Sequence, residues 1–238
     1  IIVAPDGSLR GMDCAWSAGS FFLNTKAGAF EDFLMVDVWD FILKNYPIRP
    51  EREAHVIAGV SMGGGAAYHN AIKHMERFGI VMAFAPPMNL RWQSCRGRYM
   101  DNFDPNCWGW NTDFRRPWQV VGRFYCVVTI RQGQFTRKLY GMFNPETIAL
   151  VSKDNPIEML DAYDIKDGEC EMYIAYGGRD QFNLDAQVES FLYRCREKGI
   201  TVAVGYDPKG KHDVPTALKL LPGMLEWLKP RLEPYSPR

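Results

Sequence analysis

One stretch limits what this chain can fold into more than any other: Val56-Ile57-Ala58-Gly59-Val60-Ser61-Met62-Gly63-Gly64-Gly65. An apolar, β-branched run ends in Gly-Val-Ser-Met-Gly, and a small-residue run of helical character follows. That order predicts a strand, a tight turn carrying Ser61 and a helix, the arrangement of a nucleophile elbow. In such a turn the serine backbone is strained and its hydroxyl is exposed at the C-terminal edge of a sheet. Gly59 and Gly63 are expected to be glycines because side chains there would collide with the neighbouring strand and helix. The Met62 amide, at the helix start, is expected to face an oxyanion forming on a group bound to Ser61. The bare five-residue pattern is common by chance, so its context carries the weight.

The context is a chain of alternating strands and helices. Ile1–Pro5 reads as a strand, closed by the turn Pro5-Asp6-Gly7. Gly11 to Gly28 reads as an ordered loop anchored by Trp16, Phe21 and Phe22. Phe30 to Tyr46 is amphipathic, with Leu34, Val38, Phe41 and Ile42 at helical spacing, and Pro47 stops it. The elbow helix is expected to run to about Phe78, and Gly79 to Ala85 is a buried strand. Later come a strand at Glu171–Tyr176, a helix at Leu184–Lys198, a strand at Thr201–Tyr206 and a helix at Val214–Leu228. Asp213 is placed to cap that last helix and Pro222 to kink it. Such alternation implies an α/β fold, a mostly parallel sheet covered by helices on both faces. With 238 residues, 47% of them hydrophobic, the chain suits one large domain over 1–238.

Between Met88 and about Pro156 the pattern changes. Trp92, Trp108, Trp110 and Trp118 crowd into it among several arginines. Residues 88–156 are read as an insertion or cap-like segment beside the active site. Trp16, Trp92, Trp108 and Trp110 are the candidates for substrate contact. Nucleic acid is not expected as a partner, because Lys plus Arg and Asp plus Glu both number 28. No run approaches the length of a membrane span, and no zinc-type cysteine pair or phosphate-binding glycine loop is present. Six cysteines stand at 14, 95, 107, 126, 170 and 195. Cys95 and Cys107 share a loop-rich segment and are the pair to consider for a disulfide; Cys170 and Cys195 read as buried thiols. The compartment, secreted, periplasmic or cytoplasmic, is left open.

A serine needs a base before it attacks. His55 opens the elbow strand at its wrong end, and His69 and His74 lie too far along the elbow helix. His212 stands between the last strand and the last helix. In a parallel sheet that loop opens on the same edge as the elbow, which makes His212 the candidate base. The acid should come from another loop on that edge. Asp180, directly after a strand, ranks ahead of Asp185 and Asp213.

Pro5-Asp6-Gly7, Phe30-Glu31-Asp32-Phe33-Leu34, Tyr46-Pro47-Ile48-Arg49-Pro50-Glu51-Arg52 and Gly59-Val60-Ser61-Met62-Gly63-Gly64 together resemble the esterase D group of α/β-hydrolases. That group includes feruloyl and acetylxylan esterases, S-formylglutathione hydrolases and mycolyltransferases. The resemblance is specific over 1–87, moderate over 155–238 and absent between. It implies an α/β-hydrolase fold and serine esterase chemistry by Ser61, Asp180 and His212. No metal or cofactor is expected, and the partner would be a small-molecule or carbohydrate-linked ester. An acyltransferase with the same residues, or a noncatalytic carbohydrate-binding member, are the alternatives. The strand carrying the family's second oxyanion amide should lie upstream of Ile1. The expectation is therefore an N-terminal extension filling a gap between the strand ending at Pro5 and that ending at Val60, without which residues 1–238 fold poorly or are inactive.

Overall fold

The computed structural model describes residues 1–9, 19–113, 118–124, 128–141 and 145–236. A two-residue hairpin, β1 (Asn24–Thr25) and β2 (Gly28–Ala29), leads into α1 (Phe30–Asp32), a π-helical stretch at Phe33–Val38, and α2 (Trp39–Asn45). Then come β3 (Val56–Val60), α3 (Met62–Lys73) and β4 (Ile80–Phe84). Two further hairpins follow, β5 (Trp92–Ser94) with β6 (Trp108–Trp110) and β7 (Val120–Phe124) with β8 (Val128–Arg131). Helices α4 (Gln132–Tyr140), α5 (Pro145–Lys153) and α6 (Pro156–Ala162) complete the middle of the chain. It ends with β9 (Glu171–Gly177), α7 (Leu184–Glu197), β10 (Ala203–Asp207) and α8 (Val214–Leu232).

The main sheet has the order β10-β9-β4-β3, and every neighbour in it is parallel. Helices cover both faces. Val81, Ala83, Met172 and Ile174 point to one side, where they meet Tyr68 and Ile72 of α3, Ile157 and Leu160 of α6, and Val188 and Phe191 of α7. Ile80, Met82, Phe84, Tyr173 and Ala175 point to the other, against Met224, Leu220 and Trp227 of α8. Burial on both faces explains why β4 reads Ile-Val-Met-Ala-Phe without a polar residue. Asp213 caps α8 by accepting the Thr216 amide at 3.0 Å, and the Thr216 hydroxyl at 2.6 Å, followed by that amide, holds its carboxyl below the usual range. Pro222 and Pro230 both lie inside that helix.

Among the described residues of 88–156, Met88 belongs to the core on the α3 side of the sheet, with Trp108 and Trp110 packed against it. A third cluster, Leu9, Leu23, Leu139, Tyr140 and Val151, joins α4 and α5 to the chain around residue 23. Cys95 and Cys107 are disulfide-bonded and close the loop between β5 and β6, while Cys170 and Cys195 are free and buried. Among the described residues no helix is long and apolar enough to cross a membrane.

Several elements depart from expectation. Residues 1–9 form no strand, and Ile1 and Ile2 are 77% and 97% exposed. Apolar residues make a strand only where a ladder partner receives them, and among the described residues Ile2 and Val3 pair with none. Helix α3 ends at Lys73 rather than near Phe78, because His74 leaves the helical region at φ −124°, ψ 45°. The last helix runs on to Leu232. Trp16 lies outside the described residues.

Candidate active site

Ser61 sits between β3 and α3 at φ 55°, ψ −121°, a conformation that ordinary side chains rarely adopt. Its amide donates to Phe84 O at 2.7 Å, and its carbonyl accepts the amides of Gly64 and Gly65. The turn is therefore fixed from β4 and from within α3. Gly59 makes it sterically feasible: a Cβ there would stand 2.1 Å from Gly63 O. The expectation for Gly63 does not hold, since a Cβ on it meets nothing within 4 Å. The crowded positions are Gly64, against Ala83 and Pro86, and Gly65, against Pro87. Met62 is the first residue of α3. First-turn amides have no partner inside their helix and carry the positive end of its dipole.

The loops after β9 and β10 meet backbone to backbone. A Cβ on Gly177 would stand 2.4 Å from Gly210 C. Gly178 donates to Asp207 O, and Arg179 to Gly210 O, each at 2.9 Å. This close seam carries Asp180 and His212 to the edge where Ser61 stands. His212 Nδ1 lies 2.8 Å from Asp180 Oδ2, and His212 Nε2 lies 2.9 Å from Ser61 Oγ. The other oxygen of Asp180 accepts the Phe182 amide at 2.8 Å. The Asp180 side chain is 1% exposed and that of His212 14%. With Asp180 ionised, Nδ1 carries the proton and Nε2 is left as acceptor toward the serine hydroxyl.

The sequence did not single out the residues that brace this arrangement. Gln181 Oε1 accepts the His212 amide at 2.7 Å, and its carbonyl accepts from Arg123 of β7. The Phe182 ring stands edge-on to the imidazole with centroids 4.9 Å apart. The Tyr99 hydroxyl, inside the disulfide-closed loop, donates to Phe182 O at 2.8 Å, and Asn183 Nδ2 donates to Tyr99 O at 2.6 Å. Burial pushes the Tyr99 phenol above its ordinary value. Asp185 is separate from the Ser61–His212–Asp180 chain. It lies in the first turn of α7, its Oδ1 is buried without a hydrogen-bond partner, and burial followed by the nearby Asp180 charge raises its pKa to about 6.

A cavity of about 200 Å³ opens beside Ser61 and Met62. Phe21, Leu23, Pro87, Phe182, Leu184 and Gln187 contribute to its walls. The segment 88–156 adds Leu90, Trp92, Tyr99, Asn111, Val121, Gln132, Leu139, Tyr140 and Val151. Of the described tryptophans expected at the substrate, Trp92, Trp108 and Trp110, only Trp92 is on this wall. Trp108 and Trp110 pack against each other at 5.2 Å, with Trp108 also against Phe103 and Tyr193, on the hydrophobic layer that holds α7. Trp118 is 62% exposed. Aromatic packing drew these rings away from the site.

Glu31, His69 and Asp154 offer ligand atoms that lie within 4.8 Å of one another. Lys73 Nζ already stands there, 3.0 Å from Glu31 Oε2 and 2.9 Å from Asp154 Oδ1. An ammonium thus takes the place a cation would need. Burial opposes ionisation of Glu31, yet His69, His74 and Lys73 together hold its carboxyl well below the ordinary range.

Comparison with known proteins places the chain. A family model, Esterase, described as "Putative esterase", matches residues 1–217. Over 110 residues the chain is 31% identical to an S-formylglutathione hydrolase of Bos taurus, an alignment taking in 39% of this chain and 38% of that protein. Among solved structures it is similar to a ferulic acid esterase (18% identity, TM-score 0.58, 89% of this chain and 64% of that one). It is also similar to an S-formylglutathione hydrolase from Agrobacterium tumefaciens (16%, TM-score 0.60, 90% and 64%). A third is a fluorophosphonate-binding serine hydrolase F of Staphylococcus aureus (15%, TM-score 0.59, 89% and 69%). The chain thus spans less than two thirds of the length of the first of these relatives. The structural likenesses identify the fold as that of the α/β-hydrolases.

Proposed function

The chain belongs to the esterase family, and on that premise we propose that it hydrolyses small-molecule carboxylic esters with Ser61 as nucleophile, His212 as general base and Asp180 as the acid that orients it. The observation that carries this reading is the unbroken contact chain Ser61 Oγ to His212 Nε2 at 2.9 Å and His212 Nδ1 to Asp180 Oδ2 at 2.8 Å. As Ser61 Oγ attacks the ester carbonyl, His212 Nε2 takes its proton and Asp180 stabilises the imidazolium. The Met62 amide faces the negative charge that develops on the carbonyl oxygen. His212 then gives its proton to the leaving alcohol as the carbon–oxygen bond breaks, which leaves an acyl group on Ser61. Water, losing a proton to the same nitrogen, attacks that acyl group; as the bond from the acyl carbon to Ser61 Oγ breaks, His212 returns the proton to Oγ and the acid departs. Asp213 has no place in this chain, because its carboxylate is engaged by Thr216 at the cap of α8.

Two measurements test the proposal. Wild type should turn over p-nitrophenyl acetate and take up a fluorophosphonate probe on Ser61. Ser61→Ala should lose the label and nearly all turnover, with a melting temperature within a few degrees of wild type. Turnover of Ser61→Ala near the wild-type rate would sink the serine mechanism.

A further inference from the structure

The cavity beside Ser61 says which part of an ester enters it, and of what kind. We infer that it holds the acyl group, and that this group is uncharged, apolar and about six to eight carbon atoms in size. The inference rests on Ser61 being the nucleophile.

The side of the bond follows from the position of His212. The departing oxygen has to receive its proton from His212 Nε2, so the alcohol must lie against that imidazole. The cavity reaches Ser61 and Met62, but His212 is not on its wall. A group lying in the cavity therefore extends from the carbonyl carbon on the side away from the leaving oxygen.

Polarity follows from the walls. The walls are mostly apolar, Leu23, Leu90, Trp92, Val121, Leu139 and Val151 among them, and no Asp, Glu, Lys, Arg or His is among the described lining residues. Two of the polar side chains present are committed to the protein. Gln187 accepts the Asn89 amide at 3.1 Å and donates to the Tyr99 hydroxyl at 2.8 Å, and that hydroxyl donates to Phe182 O. A carboxylate carried by the acyl group would find no charged partner here, and burying it unpaired is strongly unfavourable. Size follows from volume. An apolar cavity of about 150 Å³ takes up benzene, and this one is about 200 Å³. A formyl or acetyl group leaves most of it unfilled. Each methylene added up to six carbons gains burial that corresponds to about a two- to four-fold rise in kcat/KM.

The test is a p-nitrophenyl ester series from acetyl to dodecanoyl, with the monoester of adipic acid as a charged partner to hexanoyl. A second series keeps acetyl and varies the alcohol. The expected result is a rise of at least ten-fold in kcat/KM from acetyl to hexanoyl or octanoyl, a fall by dodecanoyl, and at least ten-fold discrimination against the adipoyl monoester. In Val121→Phe or Leu90→Phe, whichever folds, the hexanoyl-to-acetyl ratio should drop at least five-fold while relative preference among alcohols stays the same. A flat or falling acyl series in an enzyme that hydrolyses the acetyl ester through Ser61 overturns the inference and leaves the esterase reading intact. So does a variant that changes alcohol preference instead of acyl preference. Failure to hydrolyse any ester overturns both.

Discussion

Asp185→Asn should stabilise this protein at neutral pH and do nothing for it in acid. Asp185 lies in the first turn of α7, with its Oδ1 buried and unpartnered and the charge of Asp180 close by. Burial and that neighbour raise its pKa from 3.8 to about 6. A carboxyl whose folded value lies above its unfolded one favours the folded state only in the protonated form. The cost of ionising it is thus absent below pH 3.8, grows as pH rises from 3.8 to 6, and is complete above 6. A difference of about two units corresponds to roughly 3 kcal/mol. Part of the carboxylate reaches solvent, which reduces this to about 1–2 kcal/mol. Asparagine removes the charge at nearly constant shape. In a domain of this size the gain should appear as a rise of about 3–7 °C in Tm at pH 7.5. Urea or thermal unfolding of both proteins at pH 7.5, 6, 5 and 4 would follow the gap as it closes. A variant less stable than wild type at pH 7.5, or a difference that does not change with pH, would refute the reasoning. Ester turnover should change little, because Asp185 is not in the contact chain from Ser61 to Asp180.

Asp180→Asn, in contrast, should lower kcat by roughly three to four orders of magnitude, since an amide no longer holds His212 in the tautomer that accepts from Ser61; a loss under ten-fold would reassign the acid. Gly59→Ala should fail to give a soluble folded protein, because its Cβ would overlap the Gly63 carbonyl. Gly63→Ala should keep the wild-type circular dichroism spectrum and a Tm equal to or slightly above wild type. Equal outcomes for the two glycines would show that the turn is set by something other than this contact.

What the sequence revealed is what depends on periodicity and chain order. Ile80–Phe84 is apolar throughout because both faces of the sheet are covered there, and that pattern is visible without coordinates; Val56–Val60 reads the same way although it lies at the edge of the described sheet and Val60 is 59% exposed. The placement of Ser61, Asp180 and His212 on one edge follows from parallel strands, whose following loops all open the same way. What the sequence did not reveal depends on partners distant in the chain. Ile1–Val3 has the composition of a strand but finds no ladder among the described residues. Trp108 and Trp110 carry the same side chain as Trp92, yet only Trp92 faces the cavity, and one-residue composition holds no trace of that choice. Gln181 and Tyr99 look like ordinary loop residues. Their roles as braces come from bonds to His212 and Phe182 that span 31 and 83 residues.

The seam at Gly177 and Gly210 also bears on how this protein can vary. Two loops that touch through bare backbone cannot change separately: a side chain gained by one has to displace the other, and with it either Asp180 or His212. Descendants and designed libraries alike are held to a narrow corridor there. Within 88–156, Tyr99 and Arg123 are tied to the loop that carries Asp180, but the apolar wall side chains Leu90, Leu139 and Val151 carry no such lock on the reacting atoms. New substrate preferences are therefore reached most readily by rewriting those apolar wall positions, with the seam inherited whole.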